Sequence, residues 1–276
     1  MQNIQWFPGH MTRAVRMMEE QVKLCDGIVM VLDARVPFAC LNPKLDGVFG
    51  NRPVIYALNK VDLADNEKLK GVLAEFKSQN KNAIAVIGTQ EKSRKALYDE
   101  IKKALQPVIE KYKLKGIKRP LRIMVAGIPN TGKSTLINLL SGGKKAKTGD
   151  KAGVTKDKQW IKFQDLELLD TPGTTEPSFK NQTYAKYLAY IGSINDDILD
   201  FCELSIELLG DLIENYPNSI KNAYGVDESK AGYELFSEIA IKRGAIKKGG
   251  DIDDERVGAM IINDFRKGKI GKILFR

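Results

Sequence analysis

Gly127-Ile128-Pro129-Asn130-Thr131-Gly132-Lys133-Ser134 fits the pattern G-x-x-x-x-G-K-[ST]. That pattern cradles phosphate when it follows a strand and opens a helix. The apolar run 121–126 (LRIMVA) predicts the strand, and Thr135–Leu140 predicts the helix. Backbone N–H groups of such a loop, with the positive end of the helix, form a concavity for anions, and Lys133 would extend it toward β- and γ-phosphates. Gly127, Asn130, Thr131, Gly132 and Thr135 complete the expected cradle, and the Ser134 hydroxyl is expected to hold Mg²⁺.

Two further motifs fit the same chemistry. Asp170-Thr171-Pro172-Gly173 ends a predicted strand where a P-loop enzyme places the acid that helps hold Mg²⁺, here through a water. Gly173 lets the backbone come close to the γ-phosphate. Between the two motifs, Thr155 in Gly153-Val154-Thr155 is the candidate threonine to complete the Mg²⁺ shell, on position alone. Asn59-Lys60-Val61-Asp62 follows the apolar run 53–58 and matches N-K-x-D. An ionised Asp62 accepts from both N1–H and the 2-amino group of guanine, a donor pair adenine lacks, so GTP and GDP are the expected ligands. Alone, N-K-x-D is equally a solvated turn; three such motifs at strand ends, where open α/β sheets bind nucleotides, point to a site. The remaining base-contacting loop is expected after the run 83–87, at Gly88, Thr89 and Gln90.

The elements that must position these residues are parallel strands and their covering helices. Apolar runs 27–32, 53–58, 83–87 and 121–126 alternate with amphipathic stretches at 12–24, 66–78 and 91–106, which predicts an α/β fold with a parallel sheet. Segments 159–163 and 166–170 read as two strands joined by a tight turn. The basic, proline-bounded segment 107–120 reads as a joint between two parts of one sheet or a linker between domains. N-K-x-D precedes the P-loop, whereas ordinary GTPases place it last. A sheet tolerates rejoining when its ends lie close together. The predicted fold is therefore a circularly permuted, Ras-like P-loop GTPase domain, 1–177, followed by an all-helical domain, 178–276, with helices over 194–213 and 228–240.

Lys+Arg 44 against Asp+Glu 35 gives a formal charge of +9, which favours a polyanionic partner. Residues 241–276 carry ten Lys/Arg and five acids, a cationic tail suited to phosphate contacts. Cys25, Cys40 and Cys202 show neither disulfide nor zinc spacing and suit a reducing compartment. No apolar run approaches the roughly 20 residues that span a bilayer, so a soluble, cytoplasmic protein without a membrane partner is expected.

The chain resembles the ribosome biogenesis GTPase A (YlqF) family along nearly its whole length. The residues carrying the resemblance are Trp6-Phe7-Pro8-Gly9-His10-Met11, Leu32-Asp33-Ala34-Arg35-Val36-Pro37, the three motifs above, and Asp264-Phe265-Arg266 with Gly268-Lys269. The resemblance implies GTP hydrolysis in late assembly of the large ribosomal subunit, with rRNA bound by the C-terminal helical domain. It also implies a catalytic role for His10, the protein's one histidine, as an imidazole can position or deprotonate water at neutral pH. Asn130 resembles the asparagine by which related GTPases recruit K⁺. Thr174 after Gly173, and Ala152 before Gly153, depart from the family's usual wording, and Thr174 leaves no Ras-type glutamine there. The chain is expected to act as a monomer. The competing readings are a nucleotide-gated RNA-binding adaptor in which hydrolysis is incidental, and a GTPase acting on the small subunit or tRNA.

Overall fold

The computed structural model describes residues 10–143, 160–173 and 181–276, in two units: 10–173 with Leu274–Arg276, and 181–273. In the first unit, six strands form one sheet: β1 (Gly27–Asp33), β2 (Val54–Asn59), β3 (Asn82–Ala85), β4 (Leu121–Ala126), β5 (Trp160–Phe163) and β6 (Leu166–Asp170). Their order is β3-β2-β1-β4-β6-β5, all neighbours parallel except the β5–β6 hairpin. Counted from β4, the same sheet reads 6-5-4-1-3-2, with the P-loop strand first and the N-K-x-D strand next to last. The fold is a permuted Ras-like sheet, as the motif order predicts.

The strands were legible because a parallel sheet is covered on both faces, and its strands read as continuous apolar runs. On one face Val29, Val31, Ile55, Ala57, Ile123 and Val125 form a core with Leu97 and Ile101 of α4 (Glu91–Ala104) and Leu136, Ile137 and Leu140 of α6 (Lys133–Ser141). The alternate positions Ile28, Met30 and Leu32 are equally buried. Tyr56, in register with Met30, meets Phe76 of α3 (Asn66–Ser78) with ring centroids 5.2 Å apart. Helix α3 begins where expected because the Asp65 carboxylate accepts from the N–H groups of Glu67 and Lys68. Helices α1 (His10–Gln21) and α2 (Pro43–Phe49) contribute buried Met18 and Leu45. Cys25 and Cys40 are buried thiols whose pKa burial pushes up to about 12, and all three cysteines are free.

Segment 107–120 joins two parts of one sheet, the first of the two readings its sequence allows, and it does not link domains. Most of it is α5 (Gln106–Leu114), with proline in the first turn, where its missing N–H costs nothing. The joint is fastened to the chain just before β1. Asp26 accepts from the Arg122 N–H at 2.8 Å, takes both prongs of the Arg119 guanidinium at 2.9 and 3.0 Å, and accepts from the Tyr112 hydroxyl.

The second unit contains α7 (Gln182–Tyr190), α8 (Phe201–Asn215), α9 (Ser219–Tyr224), α10 (Gly232–Lys242) and α11 (Asp254–Arg266). Its centre is the pair α8 and α11, which approach so closely that a Cβ at Gly258 would lie 2.5 Å from the Phe201 backbone. The helix expected from 194 begins only at Phe201, because Asp200 caps it through the Glu203 N–H; a 3₁₀ turn, Asp196–Ile198, precedes it. The helix expected from 228 likewise begins at Gly232, and α7, α9 and α11 were not anticipated. Among the described residues, no helix is long and apolar enough to cross a membrane.

Candidate nucleotide site

The sheet order brings the motifs together at the carboxyl ends of β2, β4 and β6, with β1 between the first two. Asp33 at the end of β1 lies opposite Asn59 at the end of β2, and the P-loop leaves β4 on the other side of β1. Gly127 (φ +147°) must be glycine, since a Cβ there would lie 2.5 Å from the Val31 carbonyl oxygen. At Gly132 (φ +92°) a Cβ would meet the Asn59 amide at 2.3 Å. Asn130 takes φ +60°, the left-handed turn conformation that asparagine tolerates.

Asn59 organises the site. Its buried side-chain amide donates to the Thr131 carbonyl of the P-loop at 2.9 Å and accepts from the Gly88 N–H at 2.9 Å. One side chain thus joins loops 72 residues downstream and 29 residues downstream. Gly88 is buried, Thr89 is exposed beside it, and the Thr135 methyl lies 3.5 Å from where a Gly88 Cβ would stand. Lys60, itself left-handed at φ +61°, donates to the Asn130 carbonyl at 2.6 Å. Asp62 is exposed at the mouth of this arrangement, its carboxylate accessible to a base edge.

At the phosphate end, Lys133 is buried and donates to the Ile128 carbonyl at 2.8 Å, while the Thr131 hydroxyl donates to the same oxygen at 3.1 Å. Burial pulls the Lys133 ammonium down to about 8, against the opposing attraction of Asp170. An anion in the cradle would supply a counter-charge that favours the ammonium form against this burial. The Asp-Thr-Pro-Gly segment lies directly against the loop: Thr171 donates through its hydroxyl to the Val125 carbonyl at 2.8 Å, and a Cβ at Gly173 would come within 2.8 Å of the Pro129 nitrogen. Ser134 donates to Asp170 at 3.3 Å.

The second Asp170 carboxylate oxygen is buried and lacks a hydrogen-bond partner among the described residues. Burial raises the Asp170 pKa, with Lys133 and Ser134 opposing. A hydroxyl and an under-satisfied carboxylate beside a phosphate cradle fit Mg²⁺, which keeps several waters and completes its shell from substrate phosphates. They fit that ion better than an all-protein metal cage, and no cluster of three or more His, Cys, Asp or Glu side chains suited to a metal occurs among the described residues. His10 opens α1, but its side chain lies outside the described residues, as do Thr155, Ala152 and Thr174 altogether.

Asp33 and Arg35 stand out here, although the sequence assigned them no role. Asp33 is fully buried; it accepts from Arg35 Nε at 2.9 Å and Nη2 at 2.8 Å, and its second oxygen lies 2.9 Å from Lys60 Nζ. Burial alone would raise its pKa, but Arg35 and then Lys60 pull it well below the usual carboxylate range. A carboxylate ending the strand beside N-K-x-D was the available signal.

Comparison with known proteins places this geometry. A family model described as 50S ribosome-binding GTPase matches residues 122–220. The match takes in the P-loop and Asp170–Gly173 and leaves out N-K-x-D, which lies before it in this chain. Ribosome biogenesis GTPase A from Priestia megaterium is 40% identical over 99% of this chain and 96% of its own length. Its namesake from Thermotoga maritima is 32% identical, covering 98% and 93%. Mitochondrial ribosome-associated GTPase 1 from Xenopus tropicalis is 32% identical over 98% of this chain and 93% of its own. The solved structure of GNP-bound YlqF from T. maritima superposes with a TM-score of 0.69 at 29% identity, covering 96% of this chain and 97% of that one.

Proposed function

This chain belongs to the ribosome biogenesis GTPase A family and is a GTPase, and from that footing we propose that it acts in late maturation of the large ribosomal subunit. In this reading the helical unit binds rRNA through its basic surface and the protein works as a cytoplasmic monomer. The observation that supports the nucleotide site in this reading is the convergence on Asn59 of the P-loop, N-K-x-D and the Gly88 loop; the likeness to ribosome biogenesis GTPases supports the ribosomal partner.

Within that site Asp62 reads the base, flanked by Asn59, Lys60, Gly88 and Thr89. The backbone from Gly127 to Thr135 and the Lys133 ammonium hold the phosphates. Ser134, Asp170 through a water, and Thr155 are the residues that would hold Mg²⁺, which when bound neutralises charge on the β- and γ-phosphate oxygens. Gly173 senses the γ-phosphate through its closeness to the loop, and Asn130 is the residue assigned to K⁺. His10 is assigned to the attacking water.

The test is GTP turnover with and without purified large subunits, in potassium and in sodium. Strong stimulation by large subunits, greater in potassium, is the expected result. Tight GTP binding with stimulation by neither subunit would sink the assembly reading in favour of a nucleotide-gated adaptor, and stimulation by small subunits would redirect the partner.

A further inference from the structure

Beside the nucleotide loops, and outside every motif discussed so far, residues 274–276 return to the α/β unit. Leu274 and Phe275 are buried there, and the Phe275 N–H donates to the Arg35 carbonyl at 2.7 Å. Arg276 stacks over the Phe38 ring at 5.5 Å and pairs with Glu75 of α3. Phe38 in turn stacks on Phe76, with ring centroids 6.0 Å apart. The segment is therefore built into the unit by backbone, apolar and charged contacts together.

What it touches matters more than that it is buried. Arg35 is 2% exposed; its guanidinium makes a bidentate pair with Asp33, and its backbone N–H also donates to that carboxylate at 3.1 Å. Asp33 then divides its oxygens: one accepts from Arg35 through its backbone N–H and Nε, while the other accepts from Arg35 Nη2 and pairs with Lys60. Lys60 carries the line onward to the Asn130 carbonyl, at the P-loop residue held in a left-handed conformation. Each link is short and directional, and a planar guanidinium fixes a carboxylate's orientation in a way an ammonium cannot. Moving Arg35 tilts the Asp33 carboxylate, and tilting that carboxylate withdraws Lys60 from the loop.

We infer that Arg35 is a positioning residue for the guanine nucleotide and that residues 274–276 hold it in place, so that this segment sets how long nucleotide is retained. The inference rests on the nucleotide site described above. Neither Arg35 nor Phe275 belongs to the loops assigned to the phosphates, and both act through Asp33 and Lys60. Their effect falls on nucleotide binding in the ground state and transition state alike, which raises KM and leaves kcat unchanged.

The experiment is release of a fluorescent GDP analogue, with thermal unfolding followed on the same samples. Arg35→Lys keeps the charge and loses the fork; Phe275→Ala keeps every charge and the backbone donor but empties the packing; Phe275→Leu refills it. The first two variants are expected to release GDP about tenfold faster, the loss of roughly one charge-assisted hydrogen bond. They should also show raised KM for GTP at unchanged kcat, with Phe275→Leu restoring retention. Release within about twofold of the unsubstituted protein in both Arg35→Lys and Phe275→Ala, whatever their melting points, would overturn the inference. Lys133→Ala separates the two levels. If it retains GDP normally, the nucleotide site itself is misassigned; if it loses GDP while the other variants retain it, only the positioning role fails.

Discussion

Asp62 is the residue whose chemistry is most specific and most easily inverted. Its exposed carboxylate offers two acceptor oxygens, matching the N1–H and 2-amino donors of guanine. In Asp62→Asn one acceptor becomes a donor and the charge disappears. Each charge-assisted bond is worth roughly 1.5–3 kcal/mol, so GTP affinity should fall by about two to four decades. Xanthine presents N1–H with an oxygen at C2, which an amide can match, so xanthosine triphosphate should bind Asp62→Asn more tightly than GTP does. Competition between the two triphosphates in equilibrium titrations measures this, and a variant that still prefers GTP would remove Asp62 from the base site. Most such residues were readable because phosphate and guanine recognition need fixed residue types at fixed spacing. The roles of Asp33 and Arg35 were not, although both stand in the segment carrying the resemblance: the pair's burial and Asp33's contact with Lys60 follow from a register, Asp33 opposite Asn59, that only the folded sheet supplies.

At the level of elements, β4 and α3 fell where their sequence patterns put them, because β-strand burial on two faces and an Asp65 cap are both local signals. Helix α5 escaped because Pro107 and Gly116 punctuate it, and the proline that reads as a breaker is harmless in a first turn. Helix α11 was missed although Asp253 caps it, its acidic first turn obscuring the apolar positions Val257, Ile261 and Phe265. The price of permutation is carried by the joint at 107–120, whose helical form the sequence did not show, and Asp26 is its fastening. Removing the carboxylate in Asp26→Ala leaves the Arg122 N–H, the Tyr112 hydroxyl and a half-exposed Arg119 without their common acceptor, a loss of about 2 kcal/mol. The urea midpoint should drop with an unchanged slope. Asp26 precedes β1 while the nucleotide loops follow the strands, so GDP affinity should hold. A large fall in affinity at unchanged stability would mean that the joint communicates with the site.

Across the described residues, lysines are set in two ways, buried at the nucleotide loops and exposed in the C-terminal stretch. The nucleotide loops bury their one lysine of the cradle, Lys133, whereas the basic residues of 241–276 remain largely at the surface, Lys247 and Lys248 both exposed on the turn between Gly244 and Asp253. Burial suits a single, geometrically fixed phosphate; exposure suits a polyanion whose condensed counterions are released on contact. Only the second kind of binding carries a steep salt dependence. If the proposed rRNA contact uses this surface, replacing both lysines in Lys247→Glu with Lys248→Glu removes two phosphate contacts. The plot of log affinity for large subunits against log salt should then become shallower by about 1.5. Nucleotide affinity and the melting point should stay as they were, because neither lysine makes an ion pair with a described residue. Co-sedimentation over a salt series reads the slope directly. An unchanged slope with unchanged affinity would move the RNA-binding surface elsewhere on the helical unit, while a weakened affinity at constant slope would mean that these lysines act on protein or base contacts and not on phosphate.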